Sequence, residues 1–141
     1  MAAELLARLD LPADMDHLTA LMDFVTAQAQ AAGLGPQDLY RVDLAAEEIL
    51  TNIIKYAYPD GPGRVAVACG MKGPSFVMEF SDQGVPFDPL SAGDPPLSED
   101  IEERPVGGLG IHLVRQVMDQ VTYQRQDQTN LLKVAKAVTG G

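Results

Sequence analysis

From Gln37 to Tyr58 the chain carries one long helical pattern, and Pro59-Asp60-Gly61-Pro62-Gly63 stops it. Apolar residues recur at Val42, Ala45, Ala46, Ile49, Ile53 and Ala57, with Leu50 and Ile54 beside them. Such a stripe has to face a core, so this helix sets where one layer of the fold lies. Residues four apart on a helix stand one above the other. Glu48 and Asn52 therefore point the same way, with Lys55 close to that direction, at the edge of the stripe and not out in solvent. A half-buried carboxylate beside a carboxamide costs desolvation unless it has partners or a use. One use is metal-assisted phosphoryl chemistry, where the amide oxygen holds a hard cation and the carboxylate handles a proton. The plain alternative is a polar helix edge.

The remaining pattern supplies a second layer. Ala3 to Leu11 reads as a short strand or extended arm. His17 to Ala32 is an amphipathic helix with Leu18, Leu21, Met22, Val25 and Ala29 at helical spacing, Asp14 or Asp16 available as its cap, and Gly33 and Gly35-Pro36 separating it from the next. Arg64 to Met71 and Ser75 to Ser81 read as strands joined through Lys72-Gly73-Pro74. Gly110 to Gln120 is a third helix, with Leu113, Val114, Val117 and Met118 inward. Val121 to Gln126 and Leu131 to Val138 close the chain as a hairpin. Helices followed by paired strands predict an α+β two-layer sandwich: one mixed, mostly antiparallel sheet covered on one face by helices, in a single domain over residues 1–141.

Between Gln83 and Val106 the pattern is irregular, with Pro86, Pro89, Pro95, Pro96 and Pro105 and the acidic run Glu99-Asp100-Ile101-Glu102-Glu103. A loop of this length in a compact domain is expected to be a lid over a site or to be disordered.

Composition narrows the function classes. The net charge is −10, which repels phosphate backbones and anionic membrane surfaces, so direct nucleic-acid or membrane binding is not expected. The single cysteine, Cys69, sits in an apolar strand-like run and reads as a small core residue; an internal disulfide and a cysteine metal cluster are excluded. No apolar run spans a bilayer and no cleavable leader is evident, which favours the cytoplasm.

Two further segments carry chemistry. In Ser81-Asp82-Gln83-Gly84-Val85-Pro86-Phe87-Asp88-Pro89, Asp82 ends a strand in which Phe76, Met78 and Phe80 alternate inward. An acceptor-only carboxylate facing a pocket pairs with the amino group of adenine and repels the carbonyl that guanine has there. Gly84 would let the backbone approach a flat ring closely. A plain Asp-x-Gly turn is the alternative. In Gly107-Gly108-Leu109-Gly110-Ile111-His112-Leu113-Val114, glycines open a helix, and helix N-termini present unpaired amides to phosphates. The alternative is a turn that only needs glycine's conformational range.

Taken in order, the Glu48–Asn52 segment, the Asp82–Gly84 segment and the Gly107–Gly110 segment resemble the N, G1 and G2 boxes of the ATPase fold shared by gyrase, the Hsp90 chaperone, histidine kinases and MutL. The nearest resemblance is to the single-domain, RsbW-like anti-sigma-factor serine/threonine kinases, and it runs from about Asp38 to the C-terminus. It implies a Bergerat-type fold that binds ATP with Mg2+. It implies Asn52 as the magnesium ligand and Glu48 as the general base. Asp82 and Gly84 would then sit at the adenine, with Phe87 lining its pocket or packing in the core. Gly108, Leu109 and Gly110 would meet the phosphates, with Lys55 near them and Arg104 at the γ-phosphate. Partners implied are a sigma factor and an antagonist protein phosphorylated on Ser or Thr. Relatives also pair through the N-terminal strand and helix, so a homodimer is an open expectation. Neither His17 nor His112 is assigned to a metal. The closing hairpin departs from the pattern: relatives usually have glycine before the Asn or Thr, where this chain has Gln128-Thr129-Asn130. That departure counts against a phosphate contact there and leaves a rival reading, a non-catalytic adenine-nucleotide-binding module that sequesters or activates a partner.

Overall fold

The structure is a computed structural model that describes residues 6–86 and 108–138, with the backbone alone at 108–111. Strand β1 (Ala7–Pro12) leads through a 3-10 turn (Met15–His17) into helix α1 (Leu18–Ala31) and helix α2 (Pro36–Tyr56). Strands β2 (Arg64–Lys72) and β3 (Ser75–Asp82) follow, then helix α3 (Gly108–Val117) and strands β4 (Gln120–Gln126) and β5 (Thr129–Ala137). The sheet order is β1-β2-β3-β5-β4. The sandwich class is the one the pattern predicts. The sheet differs in one respect: each of its four pairings is antiparallel, so the expected mixed sheet has no parallel pair among the described residues.

Local chemistry accounts for the element ends. Asp14 accepts the His17 backbone N–H at 3.1 Å and starts the helical layer. Pro36 opens α2 in the first turn, where its missing N–H costs nothing. Gly73, at φ 58°, occupies the first position of the two-residue loop between β2 and β3, a place that demands positive φ. The loop between β4 and β5 is equally short, but its two residues, Asp127 and Gln128, take φ of 53° and 64° without glycine.

One face of the sheet is covered. Val65, Val67 and Cys69 of β2, Phe76, Met78 and Phe80 of β3, and Leu132 and Val134 of β5 meet Leu21, Val25 and Ala29 of α1, Val42, Ala45, Ala46, Ile49 and Leu50 of α2, and Val114 and Met118 around the end of α3. The period-2 and period-3.6 patterns thus bury the faces they predict. At the end of this core remote from the α2 C-terminus, Asp38 is buried and meets Arg41 at 3.4 Å and Lys136 at 3.9 Å, tying α2 to the end of β5. Of the irregular stretch Gln83–Val106, expected to be a lid or to be disordered, residues 87–106 lie outside the described residues, Phe87 and Arg104 among them, as does Gly107.

Candidate adenine-nucleotide site

The C-terminal half of α2 lies over the ends of β3 and β5, and a slot opens between them. Its walls are apolar: Ile49, Ile53 and Ala57 from α2, Phe80 from β3 and Leu132 from β5. Tyr56 and Val85 also line it while remaining exposed, so the slot reaches solvent. Three polar residues share it: Asn52, Asp82 and Asn130, with Tyr123 beside them. Concave apolar walls with a few fixed polar groups are the general build of a small-molecule site.

Asp82 is on the inner face because β3 alternates from Phe76 inward, and it is buried at 7% exposure. Its Oδ1 accepts two hydrogen bonds, from the Gly84 backbone N–H at 2.9 Å and from Asn130 Nδ2 at 3.0 Å. Its Oδ2 has no partner among the described residues. A buried carboxylate with one oxygen saturated and the other unspent is an acceptor waiting for a donor.

Gly84 also meets a packing demand that its local segment does not announce. A Cβ there would overlap the Ala57 carbonyl oxygen and come within 2.6 Å of the Ala57 Cβ. The glycine lets the end of β3 pack against the end of α2, where Val85 N–H donates to the Ala57 carbonyl at 2.8 Å. Gly84 does not line the slot itself. Tyr58 reinforces this junction: its hydroxyl donates to the Arg64 carbonyl at 2.5 Å and accepts the Gln83 N–H at 2.8 Å.

Asn52 and Glu48 are both half-buried at the edge of the stripe, as the spacing predicts. Asn52 Nδ2 donates to the Glu48 backbone carbonyl at 2.8 Å, which fixes the amide and leaves its oxygen without a partner among the described residues. The Glu48 carboxylate makes no hydrogen bond or ion pair with any described residue. Asn52 lines the slot; Glu48 stands one turn back along α2 and does not. Lys55 is exposed and outside the slot wall. Gly108, Leu109 and Gly110 form the first turn of α3, which packs on α2.

The residue not anticipated is Asn130. Pairing of β3 with β5 sets it directly opposite Asp82. It is buried at 7% exposure, and its four hydrogen bonds use the whole amide. Nδ2 donates to Asp82 Oδ1 and, at 2.9 Å, to the Val85 carbonyl. Oδ1 accepts from the Tyr123 hydroxyl at 2.5 Å and from Arg125 at 3.0 Å. The signal is present in the alternation: Asn130, Leu132 and Val134 share one parity, and a polar residue on an inward parity points at a site.

The sequence profile of the histidine kinase-like ATPase domain matches residues 11–136. The chain belongs to that family. Among its relatives, the serine/threonine-protein kinase BtrW of Bordetella bronchiseptica is 31% identical over 94 residues, covering 66% of each chain. The serine-protein kinase RsbW of Bacillus cereus is 25% identical over 126 residues, covering 86% of this chain and 79% of that one. The crystal structure of the RsbU and RsbW domains of a Mycobacterium tuberculosis protein superposes with a TM-score of 0.69 at 11% identity, over 99% of this chain and 34% of that one, a likeness of fold. In this histidine kinase-like ATPase domain, then, an apolar slot lies between α2 and the sheet, with the Glu48–Asn52 helix edge beside it. No helix among the described residues is long and apolar enough to cross a membrane.

Proposed function

We propose that the chain is a protein serine/threonine kinase that binds ATP in this slot, phosphorylates a protein antagonist and sequesters a sigma factor. The observation that carries the reading is Asp82, buried in an apolar slot with one oxygen fully bonded and the other unspent. That free acceptor suits the exocyclic amino group of adenine. The apolar walls suit the faces of a purine ring.

The triphosphate then runs along α2 toward Asn52 and the first turn of α3. Asn52 Oδ1 is a hard, unpartnered oxygen among the described residues and is the group that would hold Mg2+, which when bound offsets charge on the β- and γ-phosphates. Glu48 has a free carboxylate one turn further on and takes the proton of the attacking Ser or Thr hydroxyl. Backbone N–H groups of Gly108, Leu109 and Gly110 at the start of α3 meet the phosphates. Lys55 and Arg104 are the cations proposed to approach them.

Transfer places about −1.5 to −2 charges on the antagonist. Against a chain of net charge −10 this favours release of the modified antagonist, and the freed surface takes up the sigma factor. The names of the relatives, serine kinases of the RsbW and BtrW type, support the same reading. The test is incubation of the purified protein with labelled Mg–ATP and candidate antagonists. Label appearing on a Ser or Thr of one antagonist supports it. Nucleotide binding with no transfer to any antagonist replaces it with the non-catalytic binding module.

A further inference from the structure

We propose that Arg125 is a positioning residue for purine selection: it holds the Asn130 amide in one orientation and so keeps the free oxygen of Asp82 aimed into the slot. The inference rests on the nucleotide reading above and adds to it the device that sets base preference.

An asparagine amide has two nearly isosteric orientations, one with its NH2 and one with its carbonyl toward a given neighbour. For Asn130 only one of them is compatible with Asp82. With Nδ2 facing the carboxylate, a donor meets an acceptor at 3.0 Å. With the amide reversed, oxygen would face oxygen, and Asp82 Oδ1 would keep only the Gly84 N–H. On the same side the Val85 carbonyl, also acceptor-only, takes the second Nδ2 hydrogen at 2.9 Å and favours the same orientation; the rest of the hold lies on the far side of the amide. Two donors converge on Asn130 Oδ1, the Tyr123 hydroxyl and the Arg125 guanidinium. The guanidinium has no acceptor capacity, so it cannot tolerate the reversed amide. Arg125 also donates to the Gly84 carbonyl at 3.1 Å, which clamps the same short segment whose N–H binds Asp82.

The result is a directional relay, Arg125 to Asn130 to Asp82, in which each donor finds an acceptor. Only Asp82 Oδ2 is left over among the described residues. An acceptor held rigidly at one place discriminates between an amino group and a carbonyl on a purine. An acceptor free to turn does not. Arg125 is half-buried on β4 and does not line the slot, so it acts through Asn130 and not on the base.

Calorimetry with Mg–ATP and with Mg–GTP on the parent, Arg125→Met, Arg125→Lys and Tyr123→Phe tests this. The parent is expected to prefer ATP. Arg125→Met keeps much of the side-chain volume but removes the donor, and its ATP-over-GTP preference should fall about tenfold, the usual worth of a charge-assisted hydrogen bond. Arg125→Lys keeps a cationic donor and should recover part of the preference. Tyr123→Phe removes the other donor to Asn130 and should lower the preference by less; it carries the test if Arg125→Met does not fold. If these variants weaken both nucleotides equally, Arg125 is only a clip between strands and the inference is wrong. If the parent binds neither nucleotide, the slot is not a nucleotide site and the inference falls with that reading.

Discussion

Asp82 and Asn130 face each other across β3 and β5, and the 3.0 Å bond between them joins the two buried polar side chains of the apolar slot. The pairing saturates one carboxylate oxygen and leaves the other for a ligand. The position of that free acceptor follows from sheet register together with the local Gly84 N–H, which binds the same oxygen as Asn130.

Asp82→Asn should therefore weaken ATP binding. The substitution turns an acceptor into a group that presents either a donor or a weaker acceptor, next to an Asn130 NH2 that needs an oxygen. The loss of a hydrogen bond at a charged, buried group is about 1.5–3 kcal/mol, on the order of tenfold or more in affinity. Calorimetry showing unchanged ATP affinity, or equal affinity of the parent for ATP and GTP, would count against the adenine assignment.

Gly84→Ala should destabilise the fold. Its Cβ would overlap the Ala57 carbonyl, 2.7 Å from the carbonyl carbon, and backbone cannot turn aside as a side chain can. Overpacking of this kind costs about 1–3 kcal/mol. The hydrogen bond from Val85 N–H to the Ala57 carbonyl would break first. A denaturant midpoint equal to that of the parent would show that the junction between α2 and β3 is looser than its geometry.

The layers are legible in the sequence because they rest on periodicity, and Val42 to Leu50 and Phe76 to Phe80 bury the faces their spacing sets. Asn52 and Asp82 are legible because each interrupts an apolar pattern at its edge. Asn130 is not, because the apolar run of the last strand begins only at Leu131; starting the strand at Thr129 restores the alternation and turns Asn130 inward. Tyr123 and Arg125 are beyond any local reading. Their meaning depends on a strand pairing that places them beside Asn130 and, through Arg125, beside Gly84. Gly84 stands out in the sequence as a close approach, but the demand the structure shows, room for the end of a neighbouring helix, is not legible from its local segment.

The same hairpin offers a stability test. Asp127 and Gln128 form its loop with positive φ at both positions, which glycine and asparagine adopt at lower cost than glutamine. Gln128→Gly should stabilise the protein by about 1 kcal/mol, because relief of a left-handed non-glycine residue exceeds the added freedom of the unfolded chain. A lower midpoint in urea would mean that the Gln128 side chain makes up for its backbone strain.

Cys69 supplies a pH dependence. Burial in the core pushes its thiol up from 9.0 to about 12. The unfolded chain releases this proton near pH 9 while the folded chain holds it, so the contribution of the buried neutral thiol is whole below pH 9 and is lost as pH rises from there toward 12. Between pH 9 and 10 the loss from this group alone is about 1 kcal/mol. Urea titrations of the parent and of Cys69→Ala at both pH values should differ by that amount in their pH sensitivity. An identical pH slope for the two proteins would show that Cys69 does not titrate differently on unfolding.

The substitutions that separate binding from chemistry lie on one edge of α2. Glu48→Gln keeps the size and hydrogen-bonding reach of the side chain but removes the basic carboxylate. If Glu48 is the base, ATP affinity stays near the parent value and phosphoryl transfer slows by about 10²–10⁴-fold. Asn52→Ala removes the free amide oxygen together with the bond to the Glu48 carbonyl, so it should weaken magnesium-dependent ATP binding as well as turnover. Both proteins should stay folded, because both side chains are half-buried at the edge of the stripe and neither belongs to the buried cluster between α2 and the sheet. Equilibrium nucleotide binding and single-turnover phosphorylation on the same preparations distinguish the two failures. A Glu48→Gln protein that transfers phosphate at the parent rate removes Glu48 from the chemistry. An Asn52→Ala protein whose ATP affinity is as responsive to magnesium as the parent's removes Asn52 from the metal, and the slot would then have to draw its cation ligands from elsewhere.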